Sequence, residues 1–247
     1  MTALRFVFDD FDVDRFTRIA ADFGEGRYGY VVTPNVDHLI RLHDEVECRV
    51  LYDDADYVLL DSRFLARLLR LFGGVRAKVC PGSDLTARLL GRVATAGDTI
   101  VLIGGEPDQG RILAERFGLG HLRQHRPPMG FIANAAAVDA CLEFIEAQSP
   151  FRFCFLAVGS PQQEIIAHSL KTRGRARGLA LCVGASINFL TGAERRAPAW
   201  LQHLGLEWLY RLLLNPRRLA HRYLVRGPRV FGILRRVPIE LRCAEGS

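Results

Sequence analysis

Short runs of consecutive apolar residues, each cut off by polar or glycine-bearing residues, alternate along most of this chain with stretches whose apolar residues recur every three or four positions. The short runs are Tyr30-Val31-Val32, Tyr57 to Leu60, Thr99 to Ile103, Phe153 to Val158 and Leu179 to Val183, and the opening segment Leu4 to Phe8, interrupted by Arg5, also reads as a strand. Continuous rather than alternating apolarity is how strands read when both faces of a parallel sheet are buried. Between them the spacing predicts helices. One covers Phe11 to Phe23 before Gly24, one carries Leu39, Leu42, Val46 and Val50, and one carries Phe64 to Phe72 before Gly73-Gly74. Pro81-Gly82-Ser83-Asp84 reads as a turn into a helix through Leu85, Leu89 and Leu90, with Ser83 or Asp84 as its cap. Further helices run through Ile112, Leu113 and Phe117, and through Ile165, Ile166 and Leu170. Strands alternating with helices predict an α/β fold with a mostly parallel sheet covered on both faces.

Past Arg195 this alternation gives way to short helices. Pro198 and Pro216 are placed to start two of them, and Asn215 ends the one between. Arg218, Arg222 and Arg226 fall four apart and so share a helical face, beside a face carrying Leu219 and Tyr223. The expected division is a body over 1–194 and a basic amphipathic appendage over 195–247. Charge sharpens it: the appendage holds 11 arginines and 3 glutamates, whereas the body holds 22 basic and 24 acidic residues. An arginine block on a nearly neutral body predicts a polyanionic partner, such as phosphates, anionic lipid or nucleic acid.

In an open α/β sheet, ligands gather at the carboxyl ends of the strands. Thr33 and Asn35 follow one apolar run and Asp61 follows another, so all three are expected at one rim. Asp61 is read either as the cap of the helix after it or as a catalytic base. The turns Gly104-Gly105, Gly159-Ser160-Pro161 and Gly184-Ala185-Ser186 should share that rim, and glycine there lets backbone amides approach a phosphate. Neither G-x-G-x-x-G nor the P-loop pattern occurs, which disfavours a standard dinucleotide enzyme or P-loop NTPase. Asp54-Ala55-Asp56 has a metal-holding D-x-D spacing, but beside Asp53 it reads as a solvated helix terminus, and no metal site is expected. Cys48, Cys80, Cys141, Cys154, Cys182 and Cys243 show no ligand spacing and read as reduced core residues. With no long apolar span and no signal-like start, the chain is expected in the cytoplasm.

Thr33-Pro34-Asn35, Ala55-Asp56 before the strand into Asp61, Pro81-Gly82-Ser83-Asp84-Leu85 and Gly159-Ser160-Pro161-Gln162-Gln163-Glu164 occur in order. They are followed by Arg195-Arg196-Ala197-Pro198, Gly205 to Arg211 and Asn215 to Leu219. This ordered set, spanning nearly the whole chain, resembles the WecG/TagA/CpsF family, glycosyltransferase family 26. The resemblance implies a Rossmann-like core with a helical C-terminal appendage. It also implies an inverting transfer from a UDP-sugar to a polyprenyl-diphosphate-linked saccharide in bacterial cell-surface polysaccharide synthesis, with no cofactor or metal required. The family's base falls on Asp61, its polar partners on Thr33 and Asn35, and its functional glutamine on Gln163. Contacts to the UDP-sugar fall on Gly104, Gly105, Gly159, Pro161, Glu164, Gly184 and Ser186. Arg211, Arg217, Arg218 and Arg222 correspond to the appendage arginines that meet diphosphate at the inner face of the cell membrane.

Ser62 and Asn188 stand where the family commonly has Gly and Asp, and Lys78 is nearest to a usual arginine. These departures leave the donor open among N-acetylmannosamine, glucuronic acid and a related hexose. Two other readings stay open: an altered relative that binds UDP-sugar without transferring it, and a nucleic-acid-binding protein using the basic tail.

Overall fold

The computed structural model describes residues 4–242, apart from the side chain of Arg218; Cys243 and the arginine-218 contact expected above lie outside the described set. In chain order the body comprises β1 (Phe6–Asp9), α1 (Val13–Asp22), β2 (Tyr28–Val32), α2 (Val36–Asp44), α3 (Val50–Asp53), β3 (Tyr57–Val58), α4 (Arg63–Gly73) and α5 (Gly82–Arg92). There follow β4 (Thr99–Gly104), α6 (Gln109–Phe117), β5 (His121–His125), α7 (Ala135–Ala147), β6 (Phe153–Ala157), α8 (Gln162–Arg173), β7 (Gly178–Cys182) and α9 (Ser186–Thr191). Six strands form one sheet in the order β3-β2-β7-β6-β4-β5, and every neighbouring pair is parallel. The mostly parallel α/β architecture expected from the sequence is the one observed.

The continuous apolar runs are explained by two cores. Successive strand residues point to opposite faces, so Tyr30, Val32, Val101, Ile103, Cys154, Leu156, Ala180 and Cys182 enter one core. Val31, Ile100, Leu102, Phe153, Phe155, Leu179 and Leu181 enter the other. The five described cysteines are reduced and buried, as expected of core residues.

Three local expectations are corrected. The helix through Leu39 and Leu42 does not continue to Val50: Glu45 is extended (φ −112°, ψ 95°), and a short 3-10 turn precedes α3. Val46 and Val50 are consequently exposed rather than on a buried stripe. Helix α5 is entered through Pro81, with Ser83 and Asp84 inside its first turn instead of capping it. The apolar run at Tyr57 to Leu60 yields only a two-residue ladder, with Leu59 bridged to Asp9.

After α9 the chain forms α10 (Ala199–His203), α11 (Glu207–Leu214), α12 (Pro216–Ala220), a π-helical turn over His221–Arg226 and α13 (Arg229–Leu234). Pro216 starts its helix as expected, and Asn215 ends α11. The appendage is not purely helical, however. Its last described element, β8 (Ile239–Arg242), returns to pair in parallel with β1. Around Arg222 the helix widens, with Gly227 N bonding to Arg222 O, five residues back.

Candidate active site

The carboxyl ends of β3, β2, β7 and β6 are consecutive in the sheet, and the turns after them wall a cleft of about 780 Å³ that the appendage closes from above. Asp61, Thr33 and Asn35 line it, as do Gln163, Gly159, Gly184 and Ser186. Arg211 and Arg222 line it from the appendage side. Gly82, the first residue of α5, marks the centre of this set. A side chain begun there would meet Thr33 Oγ1 at 3.3 Å, Ser186 Oγ at 3.4 Å and Asp61 Oδ1 at 3.6 Å. Glycine at 82 therefore lets three polar side chains from three strand ends converge.

Asp61 does not cap the helix that follows it. Ser62 does, its side chain accepting from Leu65 N, which leaves Asp61 Oδ1 to accept from Gly82 N at 2.7 Å. Burial pushes the Asp61 carboxyl above its ordinary range, against the opposing pull of the Gly82 amide and of His38, Arg211 and Arg196. A carboxyl held in this way has the proton affinity of a useful base.

Beneath the cleft floor runs a chain of polar contacts. Gly184 N donates to Gln163 Oε1 at 3.0 Å, and Gln163 Nε2 donates to Glu164 Oε1 at 2.8 Å. The same Glu164 oxygen lies 3.7 Å from His38 Nε2, and Asn35 N donates to His38 Nδ1 at 3.2 Å. Burial works against the Glu164 charge, but hydrogen bonding and charge from His38, with Gln163 adding, hold its carboxyl below the usual range. Asn35 also caps α2, accepting from Asp37 N, so the polar group expected to face substrate is oriented by its helix start. Thr33 Oγ1 donates to Cys182 O at 2.9 Å, which fixes its oxygen toward Gly82.

Several expected contacts fall elsewhere. Gly104 and Gly105 do not line the cleft, because β4 lies one strand beyond β6 in the sheet and its turn is filled by side chains. Glu106 N donates to Gln109 Oε1, and Gln124 Nε2 donates to Gly104 O. Glu164 is buried below the cleft, Pro161 is not among its lining, and Arg217 is exposed on the appendage. Asp54 and Asp56 are engaged away from the cleft, with His168 Nε2 at 2.9 Å from Asp54 and Lys171 Nζ at 3.0 Å from Asp56.

The chain matches the Glycosyl transferase WecG/TagA/CpsF family over residues 1–242. It belongs to that family. A glycosyltransferase role follows, and with it partners of the sugar-donor and acceptor classes. In this WecG/TagA/CpsF member the sequence had not singled out His38, Arg41, Ser160 or Glu207 as site residues. Arg41 Nη1 donates to Ser160 Oγ at 2.6 Å, and Asp37 stands between Arg41 at 4.0 Å and Arg222 at 3.2 Å. The His38 signal was the capping pattern, three residues after Asn35. Glu207 carried no local signal, since only the docking of the appendage brings it to the cleft.

Proposed function

We propose that the protein is an inverting glycosyltransferase that moves a hexose from a UDP-sugar to an acceptor linked to polyprenyl diphosphate, as part of bacterial cell-surface polysaccharide synthesis. The observation that carries this reading is the convergence of Asp61, Thr33 and Ser186 around Gly82 at the strand ends. In the proposed step an acceptor hydroxyl attacks the anomeric carbon from the face opposite UDP and passes its proton to Asp61. The bond from that carbon to the UDP oxygen breaks, and UDP leaves with the electron pair. Thr33, Asn35 and Gln163 orient donor or acceptor. Arg211 and Arg222 face the negative charge that develops on UDP, so the reading expects turnover to survive EDTA.

The same reading places the protein on the anionic inner face of the cell membrane. The supporting feature is a group of apolar side chains left exposed on the appendage: Trp200, Leu204, Leu213, Leu214, Leu224 and Val225. Leu219 and Tyr223, expected on that face, instead turn inward to the core and the cleft. Among the described residues no helix is long and apolar enough to cross a membrane. Incubation with a panel of UDP-sugars, scored by UDP release and by thermal protection, tests the reading. Absence of both for every donor would remove it.

A further inference from the structure

Gln163 and Asn35 line the cleft from two different elements of the body, and both are anchored to one buried acid that does not line it. That acid is Glu164, 1% exposed in the first turn of α8. Its Oε1 accepts from Gln163 Nε2 at 2.8 Å, and Gln163 Oε1 in turn accepts from Gly184 N at 3.0 Å. A carboxylate only accepts and a backbone amide only donates, so the Gln163 amide between them fits one way round. Gly184 opens the turn to Ser186, whose Oγ belongs to the polar set around Gly82 and Asp61. On its other side Glu164 Oε1 lies 3.7 Å from His38 Nε2. His38 Nδ1 is 3.2 Å from Asn35 N and 2.9 Å from Asn35 Oδ1, so it engages Asn35 as acceptor from the one or, protonated there, as donor to the other.

We infer that Glu164 is a positioning residue for the cleft: its carboxylate fixes the amide of Gln163, and with it the Gly184 turn, and holds Asn35 through His38. The inference rests on the transferase reading for what the positioned groups do, though not for the positioning itself. Charge at 164 is what allows only one arrangement, because a glutamine there would have a donating end as well as an accepting one. With its oxygen toward Gln163, its NH2 would replace Oε2, a buried atom with no hydrogen-bond partner among the described residues, and two more buried N–H groups would go unpaired. With the amide reversed, its NH2 would meet Gln163 Nε2. Gln163 would then turn its own NH2 toward Gly184 N, and that bond would break. The surroundings favour the ionised acid, since His38 and Gln163 outweigh burial at Glu164, while burial holds the neighbouring Tyr52 and Cys182 well above their ordinary values and so neutral. A purely structural role, an acid steadying the first turn of α8 through the helix dipole, needs the charge but not the contact with Gln163.

The deciding experiment compares the full chain with Glu164→Gln, following the Gly184 amide by NMR hydrogen exchange and turnover by UDP release. Exchange at Gly184 should quicken by about fivefold or more relative to Leu181 and Cys182 in β7. The kcat should fall by about 10²-fold while UDP still raises the melting temperature. Glu164→Asp keeps the charge but withdraws the oxygen from Gln163. It should show both changes to a smaller degree, whereas the helix-dipole role expects wild-type behaviour, and it decides the matter should Glu164→Gln fail to fold. Unchanged Gly184 exchange, or an unchanged kcat, in a folded variant would overturn the inference. Quickened exchange in a variant of a wild type that turns over no UDP-sugar would uphold the anchoring of Gly184 and remove the transferase reading. Unmoved exchange in an active enzyme would do the reverse.

Discussion

The sheet body and the appendage solve opposite problems. In the body, Phe153, Phe155, Leu179 and Leu181 are at most 1% exposed, and every strand of the large sheet is parallel to its neighbours. The appendage helices run only five to eight residues, short of the length at which a helix holds by itself in water. They leave Leu213 72% and Val225 61% exposed. The appendage borrows its order from the body at several places, among them Gly205 on α4, Phe72 against Phe231 at 5.6 Å, Arg229 on Asp44 and β8 on β1. What the contrast teaches is a division of work. The body holds strand-end side chains rigidly, which fixing a base and its partners requires, while the appendage delivers charge and apolar surface that its own packing does not consume.

The largest expected effect is therefore at a strand end. Asp61→Asn should lower turnover by ~10²–10⁴-fold while UDP still raises the melting temperature. Near-normal turnover would take the base away from Asp61. Stability should move the other way. The fold raises the proton affinity of Asp61, so the native state binds more protons than the unfolded chain, and wild-type stability falls as pH rises through the folded pKa. An asparagine cannot ionise and can still accept from Gly82. The variant should accordingly melt higher than wild type at neutral pH, with the gain vanishing in acid. A variant less stable than wild type at neutral pH would contradict the assigned direction.

Next in size is a direct comparison of the two regions. Phe155→Ala, at the centre of the second core, should cost about 3–5 kcal/mol in denaturant unfolding. Leu224→Ala, 58% exposed, should stay within roughly 0.5 kcal/mol. Comparable losses at the two sites would mean that the appendage surface is packed in solution. Membrane contact reverses the ranking. Changing Leu213, Leu214, Leu224 and Val225 together to Ser should leave unfolding unchanged but weaken binding to anionic vesicles by roughly tenfold or more, and Phe155 should not enter that measurement at all. Deleting everything after Arg195 is a poorer test, because it also strips β8 from β1.

The same contrast explains what could be read from the residues alone. β2, β4, β6 and β7 were legible because burial on both faces leaves an uninterrupted apolar run. β5 was not: it is one of the two sheet edges, and its residues His121 to His125 are mostly polar. β8 was missed for a similar reason, being four residues with alternating exposure, and α7 has too weak a polar face to stand out. Thr33, Asn35, Asp61, Gly184 and Ser186 were identifiable because a residue after a buried parallel strand or in its turn has only one rim to occupy, whereas Gln163 was singled out only by the family resemblance. Gly104 and Gly105 obey the same rule but miss the cleft, since strand order is a tertiary fact that local pattern does not encode. Glu207 reaches the cleft from a helix, and Arg41 touches it only through Ser160, so their placement depends on how those helices dock.

The smallest effect expected is at the seam between the two regions. Asp9 in β1 accepts from Val58 N at 2.7 Å and from Arg242 Nη2 of β8 at 2.9 Å, so one carboxylate ties the last described strand to the sheet body. Burial raises its carboxyl above the ordinary range, and the Val58 amide and Arg242 only partly oppose that. A folded-state pKa raised above the unfolded value means that stability declines as pH rises through it. Removing the guanidinium raises that pKa further and deepens the decline. Arg242→Ala should therefore match wild type in acid, where Asp9 is protonated in both, and fall behind as the carboxyl ionises. With Arg242 42% exposed, solvent screening should keep the deficit to about 1 kcal/mol or less. Melting curves from about pH 4 to about pH 8 decide it. A deficit that is constant across that range would show that β8 is held by its backbone ladder alone, and the seam would then owe nothing to the charge on Asp9.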